Sequence, residues 1–346
     1  QWTPSAQLEL KTARPDSSHF YMSMGAAGAL ALLCLLPGAL RLPGIALGAL
    51  WASFPLWLPT LEKPVQKRFQ PTGYMKEVLL RLAKSTLLFF ETAITPEDHG
   101  LPPDNVQIDP NRGIAHRTSP TNIGLYLCAL ISAQRLRLLE PDELARRIRA
   151  VLETMEALPK WNGHLYNWYD TRTLDVLKPA FVSTVDSGNL AVCLVTAAQG
   201  LRCLLGELHP CDHDLPQRLD ALAEAMHFAP LYDPEADLFR IGVDTDTGEP
   251  TEARYDLLAS ECRLASFYAV MTGQVPLRHW HRLGPTRVHT RHGQTLLSGS
   301  GTMFEYLMPF LFQPPMQGTL LTDAAASVIR LQKARQQQGV WGISES

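Results

Sequence analysis

From Tyr74 to Gly339 the chain repeats one pattern, a run of apolar residues at helical spacing followed by a polar, turn-rich loop. The runs are "YMKEVLLRLAKSTLLFFETAI", "TNIGLYLCALISAQRL", "EPDELARRIRAVLETMEAL", "SGNLAVCLVTAAQGLRCLL", "DLPQRLDALAEAMHF", "YDLLASECRLASFYAVMTG" and "TDAAASVIRLQKARQQQG". Thr118 to Thr121 offer cap and first-turn residues for the second, Pro141 suits the first turn of the third, and Gly339 is a C-cap for the last. Between the fifth and sixth, "DLFRIGVDTDTGEPTEARY" reads as a small hairpin turning at Asp246 to Gly248. Such a series predicts a mostly α, α/α architecture. Antiparallel helix pairs in a ring would gather the loops of one end around a pocket, although periodicity alone leaves a solenoid or bundle open. The absence of a fixed-length repeat counts against the solenoid.

A different stretch precedes this series. From Phe20 to Leu61 the only charged residue is Arg41. One membrane span needs roughly 20 apolar residues, so the run has room for two, broken near Pro37 to Pro43. The alternative is a buried helical hairpin in a soluble protein. Lys11 and Arg14 lie before the run and Lys63, Lys67 and Arg68 after it, which places both ends in the cytoplasm, with Arg41 a lone opposing charge. The expected division is a cytoplasmic linker at 1–19, a transmembrane hairpin at 20–61, a linker at 62–74 and a catalytic domain at 75–346. Beginning at Gln1 and stopping at Ser346 within "GVWGISES", the chain reads as an internal piece of a longer polypeptide.

Several function classes recede on composition. A net charge of -3 and a pI near 6.4, with scattered Lys and Arg, give no attraction to nucleic acid. The six cysteines form no CxxC pair and suit a reducing compartment, although Cys203 and Cys211 could be bridged in an oxidising one. "DTDTG" opens like a calcium loop but does not continue as one, His279 and His281 lack a third zinc ligand, and no phosphate-cradling glycine motif occurs. No cofactor or metal is expected.

The loops carry the chemistry. "LPPDNVQIDP", "GHLYNWYDTRT", "STVDSGN", "YDLLASE", "LRHWHRLG", "SGSGTMFEYLMP" and "GVWGISES" interleave aromatics with Asp, Asn and Arg. Aromatic walls with a few placed polar groups suit a sugar, whose flat apolar faces stack while its hydroxyls are hydrogen-bonded. For any one loop, an aromatic closing the core edge explains the composition as well. Glycoside chemistry uses two carboxylates across the scissile bond. Glu261 falls inside the apolar pattern "LLASECRLASF", where desolvation would favour the protonated form that a general acid requires, with Asp256 on another part of the helix surface. A salt bridge to Arg263 or Arg254 is its structural alternative. Glu305 has a similarly apolar setting, Glu345 follows a Trp-Gly turn, and Asp186 either caps a helix beginning near Asn189 or belongs to the site.

"LPPDN", "AHRTSPTNIGLYL", "GHLYNWYDTRTL", "FVSTVDSGNLA", "YDLLASECRLASF", "GTMFEYLMP" and "WGISES" resemble, in this order, the glycoamylase-like region of the bacterial cyclic β-1,2-glucan synthases. The resemblance spans nearly everything from about residue 75 onward. It implies an (α/α)6-barrel, here incomplete at its C-terminus, that closes linear β-1,2-glucan into a ring by retaining transglycosylation. It further implies an inner-membrane protein whose soluble part faces the cytoplasm, with glycosyltransferase and phosphorylase-like regions as its polypeptide partners. On that resemblance Glu261 is the general acid/base, Glu345 the nucleophile and Glu305 a reserve. Tyr166, Trp168, Asp170, Arg172, Asp186, Asn189, Tyr255, Asp256, Tyr306 and Trp341 would bind substrate. The sequence departs from the family at Gly299, where a Trp is expected. A β-1,2-glucan hydrolase and a non-catalytic, membrane-anchored glucan-holding module are the competing readings.

Overall fold

The computed structural model describes residues 70–291, 293–336, 339, 341 and 342, with eight scattered positions before residue 70. The chain divides into two compact units at Gln70, and the second, Pro71–Ser346, carries the helical series. The expected hairpin at 20–61 lies almost wholly outside the described residues, as does Glu345. Among the described residues no helix is long and apolar enough to cross a membrane.

Nine α-helices of five or more residues make up this unit among the described residues: α1 (Gly73–Ala93), α2 (Pro120–Arg135), α3 (Pro141–Ala157), α4 (Thr184–Arg202), α5 (Leu215–Glu224), α6 (Arg263–Met271), α7 (Arg278–Arg282), α8 (Met303–Leu307) and α9 (Leu320–Ala334). Their burial sorts them into layers. On α3 a single stripe is buried, Leu144, Ile148, Val151, Leu152 and Met155, the mark of a helix with one face to solvent. Its neighbour α4 is buried nearly all round, from Thr184 through Leu194 and again at Ala197, Ala198 and Leu201. So α4 is an inner helix. It packs between α2 and α6, while α3 and α5 form an outer layer behind them. Each fully buried Leu of this interface contributes about 1.5–3 kcal/mol. A second, smaller core joins Leu296, Met303, Tyr306, Ala324 and Val328 around α8 and α9.

Short strands deliver the chain into the inner helices. Arg117–Thr118 pairs with Tyr169–Asp170 and leads straight to Ser119, whose hydroxyl accepts from the Asn122 amide and caps α2. Phe181–Ser183 pairs with Gly242–Asp244, and Ser183, the last residue of that strand, caps α4 through the Asp186 amide. The expected hairpin is present, with Gly242–Asp244 also pairing with Glu249–Pro250 across the Asp246–Gly248 turn. Asp244 Oδ1 accepts the Asp246 amide at 2.9 Å, so the acidic motif there is a turn.

Two helix starts differ from the sequence reading. The helix expected to begin near Asn189 begins at Thr184, so Asp186 lies in its first turn and Ser183 is the cap. The helix expected over 255–273 begins only at Arg263. Tyr255 pairs with Phe239, Leu257 bridges Gly284, and Asp256 O accepts from Gly284 N at 2.6 Å, so cross-chain pairing holds this stretch extended against its helical pattern. The disulfide alternative also falls, since Cys203 and Cys211 are free thiols.

The opening half of the aromatic loop is core. His164 is fully buried, meets Phe228 edge-to-face at 4.9 Å and shares its Nε2 with His227 O at 2.8 Å. Burial pushes its pKa down to about 4. Because the unfolded ring takes up a proton near its ordinary pKa of 6.5 and the folded ring resists to about 4, acidification through that window favours the unfolded chain. We expect His164 alone to cost roughly 3 kcal/mol of stability between the two limits. Urea unfolding at neutral and mildly acidic pH, compared with His164→Gln, should show a flatter pH dependence in the variant.

Candidate active site

Close helix crossings bring the site together. A Cβ built on Gly188 of α4 would stand 2.4 Å from Ala265 Cβ and 2.5 Å from its Cα on α6, so these backbones touch. The N-terminal ends of α2, α4 and α6 supply Thr121, Asp186, Asn189 and Glu261. The Thr121 hydroxyl donates to Asp186 Oδ1 at 2.6 Å, and Asn189 Nδ2 donates both to Thr121 Oγ1 at 3.1 Å and to Glu261 Oε2 at 3.0 Å. Asn167, with its amide turned to satisfy both neighbours, donates to Asp186 Oδ2 at 2.8 Å and accepts from Trp168 Nε1 at 3.0 Å. One hydrogen-bonded path therefore runs from Trp168 through Asp186 to Glu261.

Electrostatics tie further groups to this path. Burial pushes the Asp186 carboxyl upward, against hydrogen bonds from Thr121 and Ser183 that pull it down. Burial likewise raises the Tyr255 phenol, and the charges of Glu261, Asp186 and Glu305 push the same way, so three carboxylates act on one hydroxyl. Glu261 is not inside a helix but immediately before α6, and Asn189, itself almost wholly buried, holds it there. The expected salt-bridge alternatives point elsewhere. Arg254 Nε donates to Asp233 Oδ2 at 2.6 Å, and the buried Arg263 binds Gln313 Oε1 at 2.9 Å.

The remaining expected residues divide. Glu305 is buried, and its Oε2 accepts from Ser300 N at 2.8 Å, Ser300 Oγ at 2.8 Å and Gly301 N at 3.1 Å, so it clamps the "SGSG" loop. Gly299 lies against it, for a Cβ there would meet Glu305 Oε1 at 3.0 Å, and a Trp at 299 would need the carboxylate to shift. Tyr306 is core and gives its hydroxyl to Leu296 O. Asp170 receives the amides of Arg172 and Thr173 as a turn residue and is held below its ordinary pKa chiefly by the Thr173 amide. Arg172 is exposed beside it, as is Asp256 near Gly284, and Trp341 carries Lys333 Nζ 4.8 Å from its ring centre. Tyr166 is half-buried, edge-to-face with Tyr169 at 6.2 Å. Sequence reasoning missed Thr121 and Asn167. Neither has a distinguishing pattern, and both become visible only when α2, the aromatic loop and α4 converge. No group of three or more His, Cys, Asp or Glu able to hold a metal exists among the described residues, and His279 is instead buried between Ser266 Oγ and Asp237 O.

The mostly helical fold that holds this carboxylate path is consistent with an α/α toroid. Its fold is shared with an endo-β-1,2-glucanase from Chitinophaga pinensis, crystallised with sophorotriose and glucose, at a TM-score of 0.63 and 14% identity over 75% of this chain and 66% of that one. An endo-β-1,2-glucanase from Talaromyces funiculosus in complex with sophorose superposes with a TM-score of 0.57 and 14% identity, over 77% and 64% of the two chains. A family described only as a protein of unknown function (DUF3131) matches residues 81–188, which takes in Thr121 and Asp186 but stops before Asn189 and Glu261. In sequence the whole chain is homologous to cyclic β-(1,2)-glucan synthase NdvB of Rhizobium meliloti (strain 1021), 28% identical over 476 aligned positions. It spans 17% of that protein's length.

Proposed function

We propose that this unit acts on β-1,2-glucan, as part of a complete (α/α)6-barrel, and closes linear chains into rings by retaining transglycosylation. The observation that carries the reading is the Glu261 carboxylate, placed by Asn189 at the converging ends of the inner helices, in a fold shared with glucanases that bind β-1,2-linked glucose. Glu261 would protonate the departing glycosidic oxygen while Glu345 attacks the anomeric carbon. The chain's own terminal hydroxyl, relieved of its proton by Glu261, would then displace Glu345. Retaining pairs stand ~5–5.5 Å apart, which sets the separation these two carboxylates must reach. Trp168, Tyr255, Asp186 and Asn189 would shape the glucose subsites. Glu305 would support the neighbouring loop. The hairpin at 20–61 would tether the unit to the cytoplasmic face of the inner membrane, beside the glycosyltransferase and phosphorylase-like regions of a synthase.

The glucanase neighbours favour hydrolysis as the second reading. Incubating the protein with linear β-1,2-glucan and weighing the products separates them. Products one water lighter than linear chains establish cyclisation, and shortened linear chains establish hydrolysis. Unchanged glucan that still binds makes this a holding module.

A further inference from the structure

The inner helices α2 and α4 run side by side in the same direction. Thr121 meets Asp186 and Asn189 at one end, and a Cβ built on Gly200 of α4 would stand 2.6 Å from Ile131 Cγ2 further along. Between these points a Cβ on Gly124 of α2 would stand 2.8 Å from Cys193 Cβ and 3.0 Å from its Sγ. Glycines on both helices thus hold them in contact along the crossing. Cys128 lies one turn beyond Gly124 on the same face of α2, and its Sγ is 3.8 Å from Cys193 O. Two thiols from different helices therefore meet at this seam. On α4 the pair is one turn from Asn189, the residue that holds Glu261.

The two sulfurs are chemically unequal. Cys193 is completely buried, and burial, reinforced by the neighbouring Cys128 thiol, pushes its own thiol well above the ordinary range. Cys128 is only partly buried, so an oxidant reaches it first. We propose that Cys128 and Cys193 form an oxidative modification site, at which a peroxide closes them into a reversible disulfide that ties α2 to α4. Peroxide transfers one oxygen to the Cys128 sulfur, which gives a sulfenic acid and, from hydrogen peroxide, one water. The Cys193 sulfur then attacks the Cys128 sulfur. Its proton leaves with the hydroxyl as a second water, and the S–S bond closes. Two thiols give up two electrons and one peroxide takes them.

An S–S bond is about 2.0 Å long, well inside any contact between separate thiols, so closing it must move one helix against the other. Gly124 already touches Cys193, which leaves little room to draw the helices together. The movement goes into α4 instead, and Asn189 carries it to the 3.0 Å bond with Glu261. The cross-link does not depend on the glucan reading; only its effect on turnover does. Oxidising the full chain with hydrogen peroxide and mapping its peptides without reductant tests the proposal. A peptide joining Cys128 to Cys193 should appear, disappear with dithiothreitol and be absent from Cys128→Ser. Exposed Cys203 and Cys211 also take peroxide, so the map and not a thiol count is the readout. Turnover of β-1,2-glucan should fall about tenfold in the oxidised parent and return with reductant, while Cys128→Ser keeps its turnover under peroxide. A Cys193 that still takes an alkylating label after oxidation and unfolding overturns the proposal. A cross-linked protein with full turnover, or an equal loss in Cys128→Ser, overturns its link to Glu261. A parent that neither cleaves nor cyclises glucan overturns the glucan reading, and the peptide map still decides the dithiol.

Discussion

Glu261→Gln should lower turnover of β-1,2-glucan by about 10²–10⁴-fold while leaving its binding intact. The substitution keeps the shape of the side chain and an oxygen able to accept from Asn189 Nδ2, now 3.0 Å from the carboxylate. What it removes is the proton that a departing glycosidic oxygen must receive. Steady-state rates paired with calorimetric affinity read the two effects separately. Glu305 makes the useful contrast, because that carboxylate takes three hydrogen bonds from its own loop and its loss would disturb structure first. A Glu261→Gln protein with normal turnover would end its role as acid/base. One that also failed to bind glucan would show that its charge, not its proton, matters.

The helical series was legible in the sequence wherever burial is one-sided. On α3 the stripe from Leu144 to Met155 forms a clean helical period, and its bounds fall within one residue of expectation. Legibility failed where a segment answers to distant strands. Residues 255–262 carry a helical pattern, but Tyr255 to Leu258 are held by Phe239 and Gly284, and Glu261, still ahead of the helix, accepts from Asn189. The same limit applies to the site. Asp186, Asn189 and Glu261 stand out in their loops and do converge, joined by Thr121 and Asn167, which no local pattern marks. Tyr306 shows the opposite error, an aromatic in a sugar-like loop whose hydroxyl is occupied by a backbone carbonyl.

That convergence depends on how closely α4 and α6 approach, and Gly188→Leu should destroy it. An interior helical glycine costs up to about 1 kcal/mol against alanine, so retaining one at 188 needs a reason in packing. The reason is Ala265, whose Cβ, Cα and N lie 2.4, 2.5 and 2.6 Å from where a Cβ would stand. Two of those three atoms are backbone, so the helices themselves must separate rather than a side chain rotate. Overpacking of this kind costs about 1–3 kcal/mol for small additions, which already outweighs the propensity gain in Gly188→Ala. A leucine should exceed that range, at about 3 kcal/mol or more, because α4 has no exposed face at this level onto which it could turn. Urea unfolding measures the loss directly. Asn189 is the next residue, so any separation that relieves residue 188 also stretches the 3.0 Å bond to Glu261. Gly188→Ala should therefore lose activity in greater proportion than stability, even where it remains fully folded. A variant more stable than the parent would mean that the two helices have room to part, and Asn189 would then no longer be fixed by their contact.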